Sequence, residues 1–113
     1  MSQGHIEQLD AAISSNRKTI EQGKALARLL VNKDFKEVIL KGYFEREAVR
    51  LVHLRADPNM QSAESQASII KQMDAISGLS DYLRVQEHLC EQATKQLAAD
   101  EEFRAELAQE ELE

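Results

Sequence analysis

The sequence predicts an all-α protein, and three observations carry that prediction. Apolar residues recur at helical spacing instead of alternating. Aromatics make up only 4% of the chain, with no Trp, four Gly and one Pro, which is too few turn residues and aromatic strand formers for a β fold. Ala, Leu, Glu, Gln, Lys and Arg, the strong helix formers, dominate what is left. A chain of 113 residues reads as one domain with a small core. The predicted arrangement is an elongated antiparallel helical hairpin plus a long third helix: a three- to four-helix bundle of coiled-coil character.

The first helix is predicted over residues 4–31 from a seven-residue repeat. Ile6, Ile13, Ile20 and Ala27 occupy one seam position, and Leu9, Asn16, Gly23 and Leu30 the other. Asn16 and Gly23 interrupt the seam, and such interruptions can fix register.

Asn32, Lys33 and Asp34 break that pattern. Asp34 followed by Glu37 fits an N-cap with a capping box, so the second helix is predicted over 34–56. It concentrates the apolar mass, with Phe35, Val38, Ile39, Tyr43, Phe44, Ala48, Leu51 and Val52. These positions cover more than one narrow stripe, so the helix is expected to touch two neighbours. Gly42 falls in its middle, at a cost of about 1 kcal/mol relative to Ala. The expected return is close approach by another helix.

Ala56-Asp57-Pro58-Asn59 is a turn, because proline disfavours the α conformation in the residue before it. Ser62 is the predicted N-cap of a third helix over 62–99. Ile69, Met73, Ile76, Leu79, Leu83, Cys90, Ala93 and Leu97 line its apolar face. Ser77-Gly78-Leu79-Ser80 is its soft spot, where the helix is continuous or mildly kinked. The tail over 100–113 keeps helical spacing through Phe103, Leu107 and Ala108. Its seven acids near a helix C-terminus oppose the macrodipole and should fray the end unless a basic partner covers it.

The formal charge of −6 is unevenly placed. Residues 100–113 set seven acids against Arg104, and residues 17–55 hold ten Lys or Arg with five Asp or Glu. The chain is therefore a basic middle with an acidic tail. A single cysteine excludes an intramolecular disulfide. No apolar run approaches the roughly 20 residues that span a bilayer, and the N-terminus lacks a signal-peptide pattern. A soluble protein, intracellular or carried inside an assembly, is expected.

Chemistry is scarce. His88 and Cys90 are two residues apart and face different ways on a helix, so structural zinc is not expected. His53 and Asp57 lie one helical turn apart, which fits a hydrogen bond at a helix end better than a cation site. No nucleophile elbow or phosphate-cradling glycine loop occurs. The expectation is a non-enzyme with no catalytic residue, metal or cofactor. Cys90 reads as a small core hydrophobe. The expected core is Phe35, Ile39, Phe44, Leu51, Ile69, Met73, Ile76 and Leu83. Ile6, Leu9, Ile13, Ile20, Phe103 and Leu107 are candidate interface residues, since a chain this slender cannot bury every stripe. Lys41, Arg46, Arg50 and Arg55 form a candidate basic ridge, but Glu37, Glu45 and Glu47 are interleaved with it.

The run from Asn32 through Phe44, then Glu47 to Leu51, then Ala56 to Asn59, resembles the central part of short helical proteins of tailed bacteriophages. Gln66 to Ile76, Tyr82-Leu83-Arg84 and the acidic finish are similar to their later part, so the resemblance covers about residues 20–113. Such proteins are encoded among virion structural and head-assembly genes. The resemblance implies a helical virion or assembly protein that binds phage structural proteins (portal, capsid or internal proteins) or further copies of itself. It implies a place in the virion or in the cytoplasm of the infected host. It carries no functional residues over. Two alternatives stand beside it: an early phage protein that binds a host factor, and a DNA-contacting packaging or ejection accessory using the basic ridge. A membrane role is not expected.

Overall fold

A computed structural model describes residues 3–112 of the chain. Those residues are helical with short connections and contain no strand. Helix α1 spans Gln3–Leu30. A short α2, Lys33–Phe35, leads into a π-helical segment, Lys36–Glu47, and then α3, Ala48–Ala56. A single 3-10 turn at Pro58–Met60 precedes α4, Ala63–Leu112. Glu113, counted above among the acids of the tail, and the N-terminal Met1 and Ser2 lie outside the described residues.

The helix starts follow local chemistry, with one correction. Asn32, not Asp34, caps α2: its side-chain oxygen accepts from the Phe35 backbone N–H at 2.9 Å. Asparagine is as good an N-cap as aspartate. Asp34 then sits in the first turn, where a carboxylate favours the helix dipole. Glu37 is freed from a capping box for another use. At the turn, Asp57 is extended and its carboxylate accepts from Asn59 N–H at 2.8 Å, so α3 ends at Ala56, ahead of Pro58. Ser62 caps α4, accepting from Ser65 N–H at 3.1 Å. Helix α4 passes Ser77–Ser80 without a break, and nothing lies within 4 Å of a side chain built at Gly78. The acidic tail remains helical through Leu112.

Contacts divide the chain into two compact units. Unit 1 comprises residues up to Leu26 together with those from Gln86 onward, and unit 2 is Ala27–Val85.

In unit 1, α1 and α4 run antiparallel. Asp10 pairs with Arg104 at 3.0 Å and Arg17 with Glu101 at 2.7 Å, while Gly23 lies against Cys90. Ile6, Ile13, Leu26, Ala93 and Leu107 are buried there. The α1 seam holds for three heptads and then slips, with Leu26 buried and Ala27 exposed. On α4 the inward positions are Gln86, Cys90, Ala93, Leu97, Asp100, Arg104 and Leu107, spaced alternately by three and four as a seam requires.

In unit 2 the core is Leu51, Ile69 and Ile76, with Tyr43, Phe44, Ala48, Leu54, Met60 and Met73 packed around it. Phe35, Ile39 and Leu83 are half-buried. Leu79 is exposed, because the inward line steps from Ile76 to Leu83 past it.

The winding of the π-helical segment explains its apolar pattern. A helix bonded i→i+5 takes more than four residues per turn. Phe35, Ile39, Tyr43, Glu47 and Leu51 are all turned inward at intervals of four, with Leu40, Phe44 and Ala48 beside them. Apolar positions too widely spread for one face of an α-helix thus share one broad face of a wider one. Gly42 is correspondingly not a helix crossing. A Cβ built there would meet the segment's own Glu37 carbonyl at 3.2 Å and the Arg46 guanidinium at 3.5 Å.

Candidate interaction surfaces

The close helix crossing belongs instead to Gly23 of unit 1. A Cβ at Gly23 would overlap the Sγ and Cβ of Cys90. Glycine is required here by approach and not by backbone conformation, since no described residue has positive φ. Cys90 Sγ also lies 3.9 Å from the Ile20 carbonyl oxygen, so the thiol is spent on packing.

The candidate interface residues of α1 and the tail turn out to serve the chain itself. Ile6, Ile13 and Leu107 are buried within unit 1, and Leu9 and Ile20 are half-buried. Antiparallel pairing of α1 with the second half of α4 consumes both stripes, so these residues are core instead of free surface. Phe103 stands apart at 41% exposed.

Two inward positions of that seam are charged: Arg104, which pairs with Asp10, and Asp100. Asp100 is only 9% exposed, and one carboxylate oxygen accepts from Gln96 Nε2 at 2.9 Å. The other, Oδ2, is buried without a partner among the described residues. An unsatisfied buried acceptor costs about 1–3 kcal/mol. Asn16, half-buried on α1, is a polar interruption on the facing helix of the same unit.

Three of the four cations of the candidate basic ridge, Lys41, Arg46 and Arg50, are matched by carboxylates on their own helix. Arg46 reaches Glu37 Oε1 at 3.1 Å, Lys41 lies 3.9 Å from Glu37 Oε2, and Arg50 chelates Glu47 through two nitrogens. The Arg50 guanidinium, by hydrogen bonding and then by charge, holds the Glu47 carboxyl below the usual carboxylate range, and Glu47 raises Arg50 in turn. Arg55 ends the row at the last turn of α3, where its carbonyl accepts from Gln61 and Gln66. Cations already matched by acids on their own helix make a weak phosphate track.

Unit 2 also carries an open groove of about 350 Å³. Phe44, Ala48 and Val52 form one wall, and Met73, Ile76, Ser77, Ser80, Asp81 and Arg84 form the floor and the other wall. Ser77 and Ser80 are small and leave room beside the apolar line. The Asp81–Arg84 ion pair closes the rim. Val52 is 56% exposed at the edge, and Val49 beside it is similarly open. An apolar floor with a sparse polar rim is the pattern of a docking groove. Phe44, Met73 and Ile76, read from sequence as core, double as its lining. Ser77, Ser80, Asp81 and Arg84 were not singled out by periodicity. Their signal was the pair of small residues three apart beside an apolar stripe.

No cluster of three or more His, Cys, Asp or Glu that could hold a metal occurs among the described residues. The carboxylate of Asp57 is engaged in its turn instead of with His53. No helix among those residues is long and apolar enough to cross a membrane. Comparison of the chain with protein-family models, with curated proteins and with solved structures finds no match in any of the three.

Proposed function

We propose that this chain is a non-enzymatic interaction protein of a tailed phage, a virion component or head-assembly factor. It would bind portal, capsid or internal proteins, or further copies of itself, in the virion or in the cytoplasm of the infected host. Its whole-chain arrangement in this reading is an antiparallel helical hairpin with a long third helix. The observation that carries the reading is the groove of unit 2, whose apolar lining and exposed Val49 and Val52 stay uncovered by the chain's own helices. The resemblance of residues 32–59 and 66–84 to phage proteins supplies the class of partner.

The test pairs sizing and capture with a groove variant. Tagged wild-type chain should retrieve a virion protein from infected cells, and Val52→Glu, a surface change that leaves the core intact, should lose it. A strict monomer at physiological salt that retrieves no virion protein would end the proposal. Capture of a host protein early in infection, with absence from purified particles, would favour the host-factor reading.

A further inference from the structure

Two features of the π-helical segment have no use in an ordinary α-helix. The first is the bond between Glu37 and Arg46. The Arg46 guanidinium donates to the Glu37 carbonyl oxygen at 3.0 Å and to Glu37 Oε1 at 3.1 Å. These residues are nine apart. At 3.6 residues per turn, nine residues make about two and a half turns, which sets the two side chains on opposite faces. In a helix bonded i→i+5, nine residues make roughly two turns and both side chains share a face. The pair is therefore conditional on the wide winding.

The second feature is Gly42. Its missing side chain would have met the Glu37 carbonyl, five residues earlier, at 3.2 Å, a contact tighter than side chains ordinarily accept. Glycine is the poorest helix former after proline, so nothing in an α-helix would favour it here. It leaves space where the wide winding brings that carbonyl close, and the same carbonyl takes the Arg46 bond.

Winding also decides which residues face the core. Each step of four overshoots an α-helical turn by about 40°, so an α-helix would carry Tyr43, Ile39 and Phe35 progressively away from Leu51. The residues it would align with Leu51 are Phe44, Leu40 and Glu37, spaced by seven, four and three. That register turns Phe44 from the groove wall towards the core and brings a carboxylate onto the apolar face.

We propose that Lys36–Glu47 is a two-register helix, latched in its wide form by Glu37 and Arg46 across Gly42, and that the latch keeps Phe44 in the wall of the unit 2 groove. The proposal stands on the geometry of the segment, whatever the groove binds.

Nuclear magnetic resonance on the full chain reads the register directly. In the wild type, through-space contacts from Hα to amide protons across 36–47 should run i to i+5, as from Glu37 to Gly42. Arg46→Gln, which opens the latch, and Gly42→Ala, which crowds it, should each lose those contacts and gain i to i+3 contacts. Arg46→Lys, whose ammonium can still donate to the Glu37 carbonyl and carboxylate, should keep the i to i+5 set. All three changes are at solvent-facing or half-open positions, so the chain stays folded. Contacts of i to i+3 without i to i+5 in the wild type, unchanged i to i+5 contacts in both Arg46→Gln and Gly42→Ala, or their loss in Arg46→Lys would each overturn the latch. No partner is needed for this measurement. A groove that binds nothing would leave the latch standing, and a rigid wide helix would leave the binding proposal standing.

Discussion

Single residues divide into those the backbone needs and those it tolerates, and the glycines show the difference. Gly23 and Gly78 both pay the same local penalty, about 1 kcal/mol against alanine in a helix interior. Gly23 recovers it by letting Cys90 in, whereas Gly78 faces open space. Gly78→Ala should therefore raise stability by about 0.5–1 kcal/mol, and Gly23→Ala should lower it by about 1–3 kcal/mol through overpacking. Urea unfolding of the two variants beside the wild type checks both signs. Glu47 provides a second test at this scale. Its carboxyl is held below the ordinary glutamate range by Arg50, so the stabilisation it contributes is present above that range. It is lost as pH falls through the depressed native value. Titration of the Glu47 side-chain carboxyl carbon should show this depression, and Arg50→Gln should return the group to ordinary behaviour.

Among the elements, the long α4 shows how one helix can serve two seams. Its residues in unit 2 turn Gln66, Ile69, Met73, Ile76 and Leu83 inward, and those in unit 1 follow a different three-and-four alternation from Gln86 to Leu107. The alternation would be apolar throughout but for its polar members, of which Asp100 is the costly one. Its buried, unpartnered Oδ2 predicts that Asp100→Leu stabilises the chain by about 1–3 kcal/mol in urea unfolding. A loss of stability instead would mean that this carboxylate has a bonding role inside the seam. A buried polar group of this kind is a known device for fixing helix register, at the expense of stability. Asn16 on the facing helix fits the same role, and it was legible in the heptad pattern. Asp100 was not, because in sequence it reads as the first acid of a solvated tail.

For the whole molecule, each unit has its own buried cluster. Truncating Leu107 should open unit 1 locally and leave the Leu51–Ile69–Ile76 cluster protected. Hydrogen exchange on Leu107→Ala should accordingly quicken at α1 residues up to Leu26 and at α4 residues beyond Gln86. Amides around Leu51 and Ile69 should keep their wild-type rates; uniform acceleration across the chain would show a single cooperative body instead. Charge divides along similar lines, because most of the excess acid lies at the end of α4 while Lys41, Arg46 and Arg50 of unit 2 are matched by Glu37 and Glu47 beside them.

The sequence by itself determined that this chain is helical, where its helices break, and that Ser62 caps the last of them. Those features depend on side chains meeting their own backbone within a few residues, and local chemistry of that kind is written in the order of residues. It also pointed to Leu51, Ile69 and Ile76 as core, because apolar spacing survives any choice of partner. Only the tertiary structure decided which stripes were spent inside the chain, so that Ile6, Ile13 and Leu107 became core. It alone decided that Asn32 caps where Asp34 also could, and that Lys36–Glu47 winds wide. The physical reason is that neighbouring windings and alternative caps differ little in local energy. The choice falls to burial: how many of Phe35, Ile39, Tyr43 and Phe44 can reach one face together, and which glycine has a neighbour pressed against it.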